Sequence, residues 1–499
     1  MKLDRDLQSI QEVRDLVAAS KAAQREYAAF PQERMDAVTA AVAAACAQEA
    51  EPLAKLAAEE TGFGNWRDKV VKNILGSTMT YESIKAMKTI GVLRDDRAKG
   101  IMEIGVPMGV VAAIIPSTNP TSTAMYKALI CLKSGNGVVF SPHPNARACI
   151  QKTVEIIQRA AYGAGAPAGL IGCVGTPTME GSAALMKHRD VAIILATGGE
   201  AMVRAAYSSG NPALGVGPGN GPSYIERTAD IPAAVRRILD SKTFDNGTIC
   251  ASEQSIVTER CIRDQVVAEL KAQGAYFLDE EEARRVGSLL LRPSGTMNPA
   301  VVGRTALEIA QMAGVQVPPG TRVLLAEQTE VSKKNPYSRE KLCPVLGFYV
   351  EENWEGACER CVAILENEGA GHSMTMHSQN MEVVRQFALK KPVNRLLVNT
   401  PGALGGVGAT TNLPPALTLG CGAVGKSATS DNVGPMNLIN IRRVAFGVRE
   451  LADLRAAEPA PAPAAQAPPC GSGGPAGDTF TWEQVEAITR AVLERLGQR

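Results

Sequence analysis

A cysteine in a polar turn is the residue in this chain best placed to do chemistry. The stretch runs Lys242-Thr-Phe-Asp-Asn-Gly-Thr-Ile-Cys250-Ala-Ser-Glu-Gln254. It leaves a predicted helix over 231–241, passes through an Asn-Gly turn and enters strand-like Ser255-Ile-Val-Thr258. A cysteine just past such a turn is expected to be partly exposed and ringed by backbone N–H groups, which favours thiolate over thiol. The thiolate is the nucleophile of covalent catalysis. Against this stands the ordinary fate of cysteine as a small buried hydrophobe. Asp245, Asn246, Gly247 and Thr248 before Cys250, with Ser252 and Glu253 after it, argue against a dry core position. Among the eleven cysteines only Cys421, in Gly420-Cys-Gly422, sits in a comparable loop.

Two other turns hold residues a cysteine enzyme would need. Ile115-Pro-Ser-Thr-Asn119 follows the fully apolar run Val110-Val-Ala-Ala-Ile-Ile115. A side-chain amide beyond the carboxyl end of a parallel strand can donate to an oxyanion. The alternative is an Asx turn that caps the next helix. Ala196-Thr-Gly-Gly-Glu200 follows a strand over 191–195 and opens a helix. Its glycines and the free helix N-terminus suit a phosphate, although the stretch is not GxGxxG and reads equally as a plain β-to-α turn.

The elements that must position these residues alternate in period. Residues 1–62 are helical, with Leu7, Ile10, Val13 and Val17 on one face and Pro31 in the first turn of a second helix. From Gly100 the chain alternates. Strands are expected at 100–105, 110–115, 138–140, 170–174 and 191–195. Helices are expected at 121–132, after an Asn145 N-cap, at 181–187 and at 199–207. This spacing predicts βαβ units, a parallel sheet and a doubly wound α/β domain. A second α/β region follows the glycine-rich Leu214–Pro222, with helices at 260–273 and 280–290 and a strand at 395–399. A further strand over 437–444 closes it. Residues 456–477 are Ala/Pro/Gly-rich and read as a disordered linker. Trp482, Val485, Ile488, Val492 and Leu496 then form one stripe of an amphipathic helix, with Thr481 and Gln484 as a capping box.

Bulk properties bound the function. With 499 residues, two or three domains are expected. The net charge is +1, from 52 basic and 51 acidic residues, which points to neither nucleic acid nor an anionic membrane. No apolar run reaches a membrane-spanning length, and the first twenty residues are charged throughout, unlike a signal peptide. A reducing, cytoplasmic location is expected. Cys358-Glu-Arg-Cys361 sits in a helical run without a second pair at zinc spacing, so it reads as helix residues and no metal is expected.

Phe244-x-x-x-x-x-Cys250, the Asn119 turn, Thr197-Gly-Gly199 and Glu340-Lys-Leu-Cys-Pro344 together resemble the aldehyde dehydrogenase superfamily. Gly369-Ala-Gly-His372, Thr418-Leu-Gly-Cys-Gly422 and Ser430-Asp-Asn-Val-Gly-Pro435 are similar to its CoA-acylating branch, the acetaldehyde and propionaldehyde dehydrogenases of bacterial microcompartments. The resemblance covers residues 5 to 450. It implies an NAD-binding domain over 1–225 with an oligomerisation arm at 100–108 and a catalytic domain over 226–424. A return and oligomerisation strand over 425–455 would follow, in a dimer or tetramer. It also implies roles. Cys250 attacks the aldehyde, and Asn119 with the Cys250 N–H holds the resulting oxygen. Glu340 bonds the nicotinamide ribose of NAD, Thr197, Gly198 and Gly199 face the pyrophosphate, and Pro116, Ser117, Ser141 and Pro142 line the cofactor side. His372 is either a base for the CoA thiol or a structural histidine bonded to backbone. The terminal helix resembles the encapsulation peptides that load enzymes into microcompartments by docking on a shell protein.

One departure is chemically informative. Hydrolytic relatives carry a glutamate base where this chain has Val216, in Val216-Gly-Pro-Gly-Asn-Gly-Pro222. Valine cannot activate water, so a thioester on Cys250 would survive until a thiol such as CoA arrives. Two alternatives stand beside this reading. One is an acyl-phosphate reductase on the same fold, and the other a non-catalytic shell-associated protein.

Overall fold

The computed structural model describes residues 4–456 together with Glu483, Glu486 and Ala487. The chain forms two compact units, Met1–Ala445 and Phe446–Arg499. The described part of the second contains the helix Leu451–Ala456. The expected linker and terminal amphipathic helix lie outside the described residues, save Ala456, Glu483, Glu486 and Ala487.

The first unit opens with the expected helices. Arg5–Tyr27 is capped by Asp4, whose carboxylate accepts from the Asp6 N–H at 2.9 Å. Pro31 stands at the N-cap of Gln32–Gln48, one position earlier than expected. Ala50–Thr61 ends at Gly62. Trp66–Ile74 then continues through a π-helical turn, Leu75–Met79, into Thr80–Ile84. The π turn presents Gly76 to the helix Pro120–Lys133, where an added Cβ would lie 2.5 Å from the Ser122 carbonyl oxygen. That close approach anchors the helix that carries Lys69 and Lys72 against the helix that begins at Asn119.

A five-stranded parallel sheet follows, in the order Ile171–Cys173, Gly137–Pro142, Val110–Ile115, Val191–Thr197, Ala213–Val216. All six residues of Val110–Ile115 are buried because the sheet is covered on both faces. Alternate residues serve different cores. Val111, Ala113 and Ile115 join one with Tyr126 and Ile157, whereas Val110, Ala112 and Ile114 join another with Val17 and Leu185. The strand order reverses between Val110–Ile115 and Val191–Thr197, the switch point at which open α/β sheets bind ligands.

Asn145 does not cap the following helix. It sits in the 3-10 turn Pro144–Ala146, and Ala146 is the N-cap of Arg147–Gly163. The free N–H groups of Ala148 and Cys149 donate instead to the Glu60 carboxylate, at 2.7 Å each. A carboxylate from another helix supplies both the acceptors and a negative charge at the positive helix end.

The glycine-rich 214–222 stretch contributes two strands to two different sheets. Ala213–Val216 ends the five-stranded sheet, and Pro222–Ile225 lies inside a seven-stranded parallel sheet. That second sheet has the order Ala275–Phe277, Val323–Glu327, Val345–Glu351, Ser255–Glu259, Pro222–Ile225, Met374–His377, Leu396–Val398. Residues 217–221 therefore cross from one sheet to the other, directly beside the cysteine loop. The strands expected near 100–105 and 437–444 are Ile101–Pro107 and Ile439–Ala445. They pair antiparallel, with Gly91–Asp96 on the far side of Ile101–Pro107.

Candidate active site

Cys250 lies between the 3-10 turn Phe244–Gly247 and the strand Ser255–Glu259. The turn contains two left-handed residues, Asp245 at φ 46° and Asn246 at φ 51°. The polar residues around Cys250 are not wet: Asp245, Thr248, Ser252 and Glu253 are all buried. Asp245 turns inward onto two buried lysines, pairing with Lys69 at 2.9 Å and more closely with Lys72. Burial pushes the Asp245 carboxyl up, but Lys72 and Lys69 outweigh it and hold the group below its ordinary range. Burial also drives Lys72 down to about 8 against the pull of Asp245.

The expectation that the turn favours a Cys250 thiolate is overturned. Cys250 is half-buried, and its thiol is pushed up to about 12, first by desolvation and then by Glu340 and Cys421. The polar turn does not offset this because its charges are spent on one another. The opposing influence is Arg395, a buried cation that favours the Cys250 thiolate. Arg395 has no carboxylate partner among the described residues. It donates to Asn432 Oδ1 at 2.6 Å and to the carbonyls of His372 and Gly420 at 2.9 Å.

Asn119 stands at the N-cap position of Pro120–Lys133, yet its side chain makes no capping bond. Its Oδ1 instead accepts from Lys72 Nζ at 2.6 Å. Its Nδ2 makes only long contacts, 3.2 Å to Thr118 Oγ1 and 3.4 Å to the carbonyl of Thr248, two residues before Cys250. The amide is therefore presented to the cysteine loop with weakly engaged donors.

Glu340 is brought to the same place by the crossing segment. The Gly219 N–H donates to Glu340 Oε1 at 2.9 Å, and a Cβ on Gly219 would lie 1.9 Å from the Cys250 carbonyl oxygen. Glu340 is pushed up to about 8, first by desolvation and then by Glu368, which accepts its backbone N–H at 2.7 Å. Val216, 4% exposed, joins the same apolar cluster as Ile249, against which Cys250 packs. His372 is buried and bonds the Ser373 hydroxyl at 2.8 Å through Nδ1, rather than the backbone. Its Nε2 has no hydrogen-bond partner among the described residues, and burial with Arg395 holds the ring neutral, down at about 3.

Of the residues expected to face a cofactor, Pro116 and Ser117 follow Val110–Ile115 at the switch point. Thr197 ends the neighbouring strand, its hydroxyl 3.3 Å from that of Thr418. Gly199 is the extended N-cap of Glu200–Tyr207, and nothing lies within 4 Å of the place its Cβ would take. Gly198 precedes it, with Met202 its nearest contact. Ser141 and Pro142 end the adjacent strand, but Ser141 is 3% exposed and its hydroxyl faces Ser182 at 2.9 Å. A cleft of about 420 Å³ runs past Gly217, lined by Arg204, Lys333, Arg339 and Lys426. Glu200, Glu366 and Glu368 line the same cleft, Glu200 pairing with Arg204 at 3.0 Å and Glu368 with Arg339 at 3.1 Å, so Lys333 and Lys426 are its cations without a carboxylate partner among the described residues. Lys69, Lys72 and Arg395 were not evident in the sequence, because a lysine or arginine within a helix or strand carries no local mark of burial.

Two parallel α/β sheets that meet at a cysteine loop, beside an asparagine and a glutamate, are the arrangement of the aldehyde dehydrogenases. The sequence profile of the aldehyde dehydrogenase family matches residues 6–292, and the chain belongs to that family. A probable aldehyde dehydrogenase of Listeria monocytogenes is 60% identical, with TM-score 0.90, over 91% of this chain and all of that one. An acetylating aldehyde dehydrogenase of Geobacillus thermoglucosidasius is 50% identical, with TM-score 0.89, over 90% and 99%. A propionaldehyde dehydrogenase of Rhodopseudomonas palustris, solved with bound CoA and an acylated cysteine, is 27% identical, with TM-score 0.78, over 87% and 97%. The bifunctional aldehyde-alcohol dehydrogenase of Escherichia coli K12 is 45% identical over 442 residues. That match takes 88% of this chain and 50% of the relative, so the chain spans about half the length of that relative. Within the family, these likenesses place the chain with the acylating members.

Proposed function

We propose that the chain oxidises a short-chain aldehyde, propionaldehyde or acetaldehyde, to its acyl-CoA through a thioester on Cys250. The observation that carries this reading is the Asn119 amide against the cysteine loop, 3.4 Å from the Thr248 carbonyl, with apolar Val216 in the cluster on which Cys250 packs. Cys250 gives up its thiol proton to solvent and its sulfur adds to the aldehyde carbon, the new alkoxide being held by Asn119 Nδ2 and the Cys250 N–H. NAD, when bound, supplies the hydride acceptor, and Glu340 is proposed to hold its ribose and Thr197, Gly198 and Gly199 its pyrophosphate. With no glutamate at 216 to activate water, the thioester waits for a thiol. The CoA sulfur then bonds to the acyl carbon and the Cys250 sulfur leaves. The departing Cys250 sulfur takes the thiol proton, its own thiol being held up at about 12, whereas the His372 ring, down at about 3, is a poor acceptor for it.

The test is NADH formation from propionaldehyde and NAD⁺ with and without CoA. Turnover that needs CoA and is lost in Cys250→Ala is expected. Turnover that needs phosphate instead would favour an acyl-phosphate reductase, and unchanged turnover in Cys250→Ala would remove the catalytic assignment.

We propose further that the three-stranded sheet of Gly91–Asp96, Ile101–Pro107 and Ile439–Ala445 joins protomers into a dimer or tetramer, on the support of its exposed Ile441 and Val444. The residues beyond 456 are proposed to bind a microcompartment shell protein, on the sequence pattern alone. No helix among the described residues is long and apolar enough to cross a membrane. Removal of 457–499 should leave turnover intact and abolish co-purification with shells.

A further inference from the structure

We infer that Lys72 is a positioning residue for the oxyanion site: its ammonium holds the Asn119 carboxamide by the oxygen and so aims the amide nitrogen at the adduct on Cys250. The inference rests on the reading that Asn119 serves the oxygen of that adduct, and it adds the group that makes Asn119 fit for the task.

The geometry is specific. Lys72 Nζ has three hydrogens and meets three acceptors: Asn119 Oδ1 at 2.6 Å, Thr248 Oγ1 at 3.0 Å and the Asp245 carboxylate. Each comes from a different part of the site. Asn119 ends the turn after the central strand, Thr248 lies two residues before the nucleophile, and Asp245 belongs to the left-handed turn. One buried ammonium, 2% exposed, thus ties the oxyanion donor to the loop that carries the nucleophile.

The chemistry follows from the two ends of an amide. An asparagine side chain can turn over and exchange its oxygen and nitrogen. With Oδ1 held by a cation, the turned-over form would set an NH₂ against an ammonium, so only the form with Nδ2 toward the cysteine loop is favoured. The charge-assisted bond also draws electrons toward Oδ1 and makes the Nδ2 hydrogens better donors to a developing oxyanion. Neither strand nor helix geometry does this for Asn119, which makes no capping bond of its own.

Lys72 is in turn held in place. Asp245 Oδ1 accepts from the Asn65 N–H at 2.8 Å, Lys69 meets Oδ2 at 2.9 Å, and the Asp245 N–H donates to Asp68 at 2.7 Å. Asp245 pairs with both ammoniums, and the charge of part-buried Asp68 adds to its pull on Lys72. Gly64 permits this, since a Cβ there would fall 1.8 Å from Asp245 Oδ1.

A double-mutant cycle on the full chain separates this role from a structural one. Lys72→Met, Asn119→Ala and the double variant are assayed with propionaldehyde, NAD⁺ and CoA, with stoichiometric alkylation of Cys250 by iodoacetamide as the control for an intact loop. Asn119→Ala is expected to slow kcat by about 10²–10³-fold. Lys72→Met is expected to slow it at least about tenfold, with KM for propionaldehyde little changed. In the Asn119→Ala background the same lysine change should cost no more than about twofold. An equal loss in both backgrounds overturns the inference and leaves Asn119 in its role. Full activity of Asn119→Ala overturns the reading beneath it as well. If Lys72→Met does not fold, Lys72→Arg keeps the charge pair with Asp245 and moves the donor. It takes the place of Lys72→Met in the cycle: a loss confined to the Asn119 background supports the inference, and an equal loss in both overturns it.

Discussion

Gly219 gives its N–H to Glu340 at 2.9 Å while its α-carbon faces the carbonyl of Cys250, so one residue of the crossing segment touches both the Glu340 carboxyl and the cysteine loop. The carboxyl so placed is raised to about 8 by desolvation and Glu368, and is mostly protonated at neutral pH. If the ribose is bound through the carboxylate, KM for NAD⁺ should fall as pH rises through about 8. Glu340→Gln should have a higher KM that no longer changes with pH across that range, and an unchanged pH dependence in this variant would exclude Glu340 as the group. The sign for stability is opposite. A carboxyl whose folded value is raised contributes stability that is present below the ordinary carboxylate range and lost as pH climbs through about 8.

Cys250 gives a second pH signature. With its thiol up at about 12, alkylation of the free protein by iodoacetamide should gain about tenfold per pH unit through the neutral and mildly alkaline range. A plateau reached by neutral pH would mean that the surroundings stabilise the thiolate more than the burial of Cys250 allows. Arg395 is the cation that opposes that burial, so Arg395→Met should slow alkylation further at every pH in the range.

The sequence and the fold agree where periodicity is strong. The apolar strands read at 110–115 and 191–195, the second observed as Val191–Thr197, and their helices were legible because a parallel sheet covered on both faces needs unbroken apolar runs. The strands Ala275–Phe277, Val323–Glu327 and Met374–His377 were not, being three to five residues long and without a period of their own. Cys250 and Asn119 stood out as residue types in telling turns, and Glu340 only through the family resemblance. Their support did not, because Lys72 and Asp245 lie 173 positions apart and only the fold brings them together. The same distance explains the error over Cys250. A run such as Asp-Asn-Gly-Thr reads as solvated until the lysines that bury it are known.

Asp245 makes that support measurable. Asp245→Asn removes the carboxylate between Lys69 and Lys72 and leaves two buried ammoniums with less compensation, both lysines being only 2% exposed. Breaking such a buried pair costs about 3–5 kcal/mol, so the midpoint of urea unfolding at neutral pH should fall accordingly. The wild-type carboxyl is held below its ordinary value, so its contribution is present above the usual carboxylate range and lost as pH falls through the depressed value. The variant should therefore show a shallower loss of stability in acid. Equal midpoints for the two proteins would mean that the lysines are already neutral in the native state.

In the proposed reaction Val216 decides the fate of the thioester. It ends Ala213–Val216, pairs with Thr197 across the sheet and joins the apolar cluster against which Cys250 packs. Val216→Glu places a carboxyl at that position, where burial would raise its pKa toward neutrality and make it a usable base. The larger side chain in a packed cluster should cost about 1–3 kcal/mol of stability, which a thermal melt can follow. The expected kinetic outcome is new NADH formation from aldehyde without CoA, with free acid as the product, while thioester transfer to CoA loses yield. Measured by acid release under single-turnover conditions, a variant that folds yet hydrolyses no faster than wild type would show that exclusion of water, rather than the missing base, keeps the acyl group on Cys250.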